Sequence, residues 1–309
     1  MPELPEVEVV RSGLAPAVIG ACITGIEVLD ERALTRHSVS ALPDPAGRSS
    51  SRAADFERRL AGRTIGAAVR RGKFLWFPLD GAEEAMAAHL GMSGQMLLRE
   101  PGAPAERHER IRISVEHPEH GELAVVFADQ RTFGSLSIDA LVATRDGAAG
   151  GHGDPLPLVA SQAAHIARDP VDPAFDERAF RDALARKRSA IKRALLDQTL
   201  VSGIGNIYAD ESLWAARIHP ETLAADLSTR TVNRLLAEVR LVLAKALAEG
   251  GTSFDAQYVN VNGEAGYFAH SLNAYGRTGQ PCPRCDRPIA RVAFTNRSSH
   301  FCPRCQRQR

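Results

Sequence analysis

The spacing of apolar positions changes period twice along the chain. After an opening kept extended by Pro2 and Pro5, Val7, Val10 and Leu14 fall on one face of a helix whose first turn is acidic. The period then drops to two. Ile111, Ile113 and Val115 alternate with Arg110, Arg112 and Ser114, and Leu123, Val125 and Phe127 repeat the pattern. Arg70–Phe77 and Met86–Leu98 also read as strands. Residues 1–143 therefore predict a β-sandwich carrying one N-terminal helix. Gly147, Gly150, Gly151, Gly153, Pro155 and Pro157 then crowd together, which predicts a linker over 144–173. Beyond it the helical period returns. Asp176 caps a helix holding Phe180 and Leu184, Ser189–Gln198 and Asn206–Arg217 form two more, and Ser228–Glu249 presents a stripe from Val232 to Leu247 ended by Gly250-Gly251. The class is α+β multidomain: the sandwich, a helical domain over 174–270, and a small C-terminal unit over 275–309.

Composition adds little until charge is divided along the chain. No run of about 18 apolar residues is present and no basic start leads into an apolar segment, so a membrane span and a secretory leader are not expected. The net charge of +1 looks unsuited to nucleic acid. Residues 1–143 hold 16 Lys+Arg against 20 Asp+Glu, or −4, and the remaining 22 against 17 give +5. Cys282–Arg309 alone carries seven Arg and one Asp, or +6, and such clustering is what attracts phosphates. A solubilising basic tail is the plainer alternative.

Four of the five cysteines stand as Cys282-x2-Cys285-x16-Cys302-x2-Cys305. Two such knuckles present four thiolates tetrahedrally to one structural Zn²⁺, and the segment between them suits a β-hairpin. Gly203 and Gly205, just before a helix start and just after the basic run Arg186-Lys187-Arg188 and Lys192-Arg193, would let backbone N–H groups approach a phosphate. A tight helix–helix turn is the commoner explanation of two such glycines.

Five ordered motifs carry a resemblance: Pro2-Glu3-Leu4-Pro5-Glu6-Val7-Glu8, His89-Leu90-Gly91-Met92-Ser93-Gly94, Asp129-Gln130-Arg131-Thr132-Phe133-Gly134, Gly203-Ile204-Gly205-Asn206-Ile207-Tyr208 and the cysteine pairs. Together they resemble the formamidopyrimidine-DNA glycosylases over nearly the whole chain. The resemblance implies a helix–two-turn–helix domain and a four-cysteine zinc finger behind the sandwich. It implies a bifunctional glycosylase/AP lyase of base excision repair, which removes 8-oxoguanine and formamidopyrimidines by β,δ-elimination. Met1 would be removed, leaving Pro2 as the nucleophile. An α-amine titrates near pH ~8, so a usable neutral fraction exists at neutral pH, and the iminium formed at C1′ is an electron sink.

The same resemblance assigns Glu3 as general acid/base with Glu6 in support, Lys73 to β-elimination and Arg297 to δ-elimination beside gripped phosphates. Met92, Arg131 and Phe133 match a trio that fills the hole left by an extruded nucleotide. His108, Arg131, Lys187 and Asn206 match DNA-contacting positions. Gln130 and Thr132 depart from the usual Pro and Arg/Lys of that loop, which puts its rigidity in question. The expected partner is damaged double-stranded DNA, bound by a monomer with no organic cofactor and no membrane, in the cytoplasm and on the nucleoid. Two alternatives stand: an endonuclease VIII-like enzyme for oxidised pyrimidines, against which Leu4 and Met92 speak, and a non-catalytic zinc-ribbon DNA-binding protein.

Overall fold

The structure, a computed structural model, describes residues 2–40, 51–81, 83–105, 107–252, 261 and 268–308. These divide into two compact units. The first contains Pro2, the described parts of 6–165, and Val261; the second contains residues 3–5, 166–252 and 268–308. No helix among the described residues is long and apolar enough to cross a membrane.

α1 (Leu4–Val18), in the first unit from Glu6 on, leads into β1 (Cys22–Val28) and α2 (Arg52–Leu60). There follow β2 (Val69–Arg71), β3 (Phe74–Pro78), β4 (Glu84–His89), β5 (Gly94–Arg99), β6 (Glu109–His117), β7 (Gly121–Asp129), β8 (Ser135–Ala143) and β9 (Leu158–Ala160). They make two antiparallel sheets, of order β1-β6-β7-β5 and β2-β3-β4-β8-β9. Ile111, Ile113, Val115 and Phe127 of one sheet share a core with Leu75, Phe77, Met86 and Ala88 of the other, and with Val7, Val10 and Leu14 of α1. Each large apolar side chain buried there contributes about 1.5–3 kcal/mol.

Two stretches read as single strands are folded differently. Arg70–Phe77 is a hairpin, β2 and β3 turning over Gly72-Lys73 with Arg71 opposite Phe74. Gly72 at φ +55 supplies the left-handed first position that a two-residue turn needs. Met86–Leu98 is two strands in different sheets, because the chain turns through Leu90–Ser93 with Gly91 at φ +62. Leu90 and Met92 keep the second run apolar through its turn, so the period alone does not show that break.

The Gly/Pro-rich stretch expected as a linker is built structure as far as His165. β9 pairs with β8, and His152 exchanges backbone hydrogen bonds with Arg70. A Cβ at Gly150, Gly151 or Gly153 would strike the carbonyls of Leu158, Arg70 and Ala68 respectively. Those glycines are required by close backbone packing rather than by flexibility.

The second unit holds α3 (Glu177–Leu184), α4 (Ile191–Leu195), α5 (Asn206–Ala216), α6 (Thr229–Ala248) and the hairpin β10 (Ala290–Phe294) and β11 (Arg297–Phe301). Asp176 caps α3 by accepting from Ala179 N–H at 2.9 Å, and Ser228 caps α6 by accepting from Thr231 N–H at 3.3 Å. The α6 stripe of Val232, Leu235, Val239 and Leu243 packs on Tyr208 and Leu213 of α5, and Leu4 joins the same core.

Candidate active site

The second unit contains residue 3, and what holds it is the turn before α5. The Glu3 carboxylate accepts from Gly205 N–H at 2.6 Å, Ile207 N–H at 2.9 Å and Tyr208 N–H at 3.3 Å. Leu4 N–H donates to the Gly203 carbonyl at 3.0 Å. A Cβ on Gly205 would strike the Glu3 carboxyl, and one on Gly203 (φ +88) would strike the Leu4 side chain. The glycines do serve an anion at a helix N-terminus, but the anion is the protein's own carboxylate and not a phosphate. That corrects the reading of this turn as a phosphate cradle. Glu3 is 2% exposed, and Pro2, joined to it, is buried as well.

Asn206 opens α5 and its Nδ2 donates to the Ser298 carbonyl at 3.1 Å. The same carbonyl accepts from Lys192 Nζ at 2.8 Å. Lys192 is fully buried, paired with Asp210 at 2.7 Å, and lies over the Phe294 ring. Burial depresses its ammonium against the opposing pull of Asp210. Asp210 in turn accepts from His300 N–H at 2.8 Å. β11 is thereby docked on α4 and α5 by charge, which fixes Arg297, the exposed first residue of that strand. The basic run expected to face solvent or phosphate thus includes an internal lysine. Lys187 is engaged too, its ammonium 2.6 Å from Asp197.

The four cysteines of the knuckles converge, their sulfurs all within 4.8 Å of one another. Trp214 Nε1–H donates to Cys282 Sγ at 3.4 Å. Burial, then the neighbouring thiols of Cys285 and Cys302, push Cys305 up to about 12. Thiols crowded this closely lose their protons together only around a cation, so the donor set fits one structural zinc, all four positions being filled by protein.

In the first unit, Lys73 sits in the β2–β3 turn rather than within a strand. Beside it are two groups the sequence reading left unassigned, His89 and Arg36. Burial, then the charges of Arg36 and Lys73, lower His89 to about 4. Its Nδ1 accepts from Gly91 N–H at 3.2 Å, which leaves Nε2 carrying the proton as a donor. His89 opens one of the quoted motifs, but only the fold shows it beside Lys73. Glu6 is buried on α1, at 2% exposure.

The β4–β5 turn and the loop after β7 are stitched together. Ser93 Oγ donates to Asp129 Oδ1 at 2.5 Å, Arg131 N–H reaches the same oxygen at 3.1 Å, and Gly134 N–H donates to Oδ2 at 2.7 Å. A Cβ on Gly91 would come within 2.5 Å of the Phe133–Gly134 backbone. Met92 and Phe133 consequently emerge side by side, 42% and 62% exposed, with Arg131 exposed between them in sequence. Thr132 takes a left-handed φ of +57, and the Asp129 carboxylate supplies the order that Gln130 and Thr132 put in question. His108, also left-handed at φ +65, accepts from Asp129 N–H through its carbonyl.

Sequence profiles match three stretches: "Formamidopyrimidine-DNA glycosylase N-terminal domain" over residues 1–136, "Formamidopyrimidine-DNA glycosylase H2TH domain" over 166–257, and "Zinc finger found in FPG and IleRS" over 279–308. A formamidopyrimidine-DNA glycosylase of Leifsonia xyli is 62% identical over 308 residues, covering 99% of this chain and all of that one. The chain belongs to the formamidopyrimidine-DNA glycosylase family. A Thermobifida fusca member is 54% identical over 99% of this chain and 97% of its own length. Among solved structures, the Lactococcus lactis enzyme bound to DNA with an abasic site superposes with a TM-score of 0.79 at 30% identity, covering 99% of this chain and all of that one. The same enzyme with DNA containing an oxidised pyrimidine gives 0.79 at 31%, over the same shares. Membership makes the chain a DNA glycosylase of base excision repair, in a family that also has AP lyase activity.

Proposed function

We propose that this chain excises oxidised purines, 8-oxoguanine and formamidopyrimidines, from duplex DNA and then cleaves the strand, with Pro2 as the nucleophile once Met1 is removed. Met1 lies outside the described residues. The observation that carries the reading is the triple N–H clamp on Glu3. It holds the residue next to the nucleophile against a helix N-terminus, which costs a buried carboxylate nothing in unsatisfied hydrogen bonds. In this reading the Pro2 nitrogen attacks C1′, the glycosidic bond breaks, and the iminium acidifies C2′–H for elimination of the 3′ and then the 5′ phosphate. Glu3 exchanges the protons at the sugar, and Glu6 supports it from α1. Lys73 and Arg297 assist the two eliminations as phosphate-binding cations, and neutral His89 donates from Nε2 near Lys73.

Met92, Arg131 and Phe133 are read as the wedge. Their exposure supports this, since large apolar side chains held on an ordered rim are available to fill a vacated base position. His108, Lys187 and Asn206 are assigned to DNA contacts, Asn206 mainly through its hold on β11 and Lys187 only if it exchanges Asp197 for a phosphate. The substrate would place the protein in the cytoplasm, on the nucleoid. Sodium borohydride trapping on duplexes with 8-oxoguanine opposite cytosine or with thymine glycol, using wild type and Pro2→Gly, tests the reading. A covalent adduct at the purine lesion, much reduced in the variant, is expected. Adduct with thymine glycol alone would move the preference to oxidised pyrimidines. No adduct from protein shown by mass to begin at Pro2 would remove the lyase assignment.

A further inference from the structure

α5 has two ends, and the second has features unrelated to the site at the first. Within the second unit, a cavity of about 970 Å³ opens where the last turn of α5, the start of α6 and the zinc-binding segment meet. Five guanidinium side chains line it: Arg217, Arg234, Arg284, Arg304 and Arg307. Among the described residues none of the five makes an ion pair, and all are exposed. Asp226 and Glu238 are the acidic residues of the lining, so the cavity carries a surplus of three positive charges with His219 neutral.

Two of the arginines have a structural task. Arg284 donates to the Trp214 and Ala215 carbonyls at 2.6 and 3.0 Å and stacks on the Trp214 ring, and Arg234 donates to the Ala216 carbonyl at 3.1 Å. Cations at a helix C-terminus stabilise it. That accounts for Arg284 and Arg234 and leaves Arg217, Arg304 and Arg307. Arg217 is conspicuous, because it ends α5 at φ +56 and ψ +42, where glycine is the default and a branched-off side chain costs energy.

We propose that this cavity binds an acidic peptide segment of a partner protein, one with an apolar side chain among its carboxylates. Carboxylates match guanidinium forks in bidentate geometry. Leu227, half-buried in the lining, offers an apolar surface beside the charges. The concave shape and the two acidic residues do not suit a DNA backbone, which needs an open, uniformly basic track. Asn206 and Ala216 are the end residues of the 11-residue α5, about 15 Å apart along its axis. A ligand at the C-terminal end therefore leaves the Glu3 end of the helix free.

The test is fluorescence anisotropy of a fluorescein-labelled peptide, Glu-Asp-Glu-Leu-Asp-Glu-Leu-Glu, with the full-length chain, against a control peptide in which Gln and Asn replace the acids. Saturable binding of the acidic peptide alone is expected, weakened roughly 5-fold by Arg217→Gly and again by the double variant Arg304→Ala/Arg307→Ala. Arg217→Gly removes the charge while giving the αL position its preferred residue, so its melting temperature should equal or exceed wild type, and its DNA nicking should be unchanged. Absence of binding, or binding that neither variant weakens, overturns the proposal. So does a silent peptide when inorganic pyrophosphate or a short single-stranded oligonucleotide binds and both variants weaken it.

Discussion

Replacing Glu3 by glutamine is the sharpest probe of the second unit, because the residue is both a proposed proton carrier and a structural clamp. Oε2 accepts from two N–H groups, at 2.6 and 3.3 Å, and Oε1 from one at 2.9 Å. Glutamine retains a single acceptor oxygen, so either Ile207 N–H or the Gly205 and Tyr208 pair must face an amide NH₂. A buried donor left unsatisfied costs about 1–3 kcal/mol. Loss of the negative charge from the α5 N-terminus removes about 0.3–1 kcal/mol more. The sum, about 1.3–4 kcal/mol, corresponds to a fall in melting temperature of roughly 3–15 °C. Circular dichroism melts of Glu3→Gln and Gly205→Ala would measure it. Gly205→Ala should destabilise as well, because its Cβ collides with the same carboxyl. A Glu3→Gln protein that loses activity but melts within a degree or two of wild type would refute the clamp and leave Glu3 with a chemical role only.

His89 should make stability fall in acid. Its folded-state value of about 4 lies below 6.5, so the unfolded chain binds the extra proton first. The contribution is complete above about pH 6.5 and is lost as pH drops towards 4, by about 3 kcal/mol; urea titrations at pH 7 and 4.5 should show a smaller loss for His89→Gln, and equal losses would contradict this. Lys192→Met should cost about 3–5 kcal/mol by depriving the buried Asp210 carboxylate of its ammonium partner, and Lys192→Met/Asp210→Asn should recover most of it; equal stability of the single variant and wild type would count against the buried pair. Removing zinc with a strong chelator should unfold the β10–β11 hairpin and abolish nicking by withdrawing Arg297, and a metal-free protein that nicks at the wild-type rate would show that the hairpin holds without it.

Local pattern determined a good deal of this protein. The α6 stripe, the Asp176 cap and the cysteine knuckles were legible because each is written within a few turns of chain, where periodicity and spacing act directly. The order of the five motifs identified the family and its candidate residues. What the sequence left open depends on pairs far apart in the chain. Gly205 meets Glu3 across 202 positions, and Lys192 meets Ser298 across 106. Nothing local in Gly203-Ile204-Gly205 distinguishes a turn that cradles phosphate from one that cradles the protein's own carboxylate. Nor does a basic run announce that one of its lysines is buried against an aspartate. The glycines of 150–153 look like slack until Arg70 and Leu158 are placed against them. Only tertiary packing decides which backbone approaches which, because the contacts that select those residues are made by distant segments.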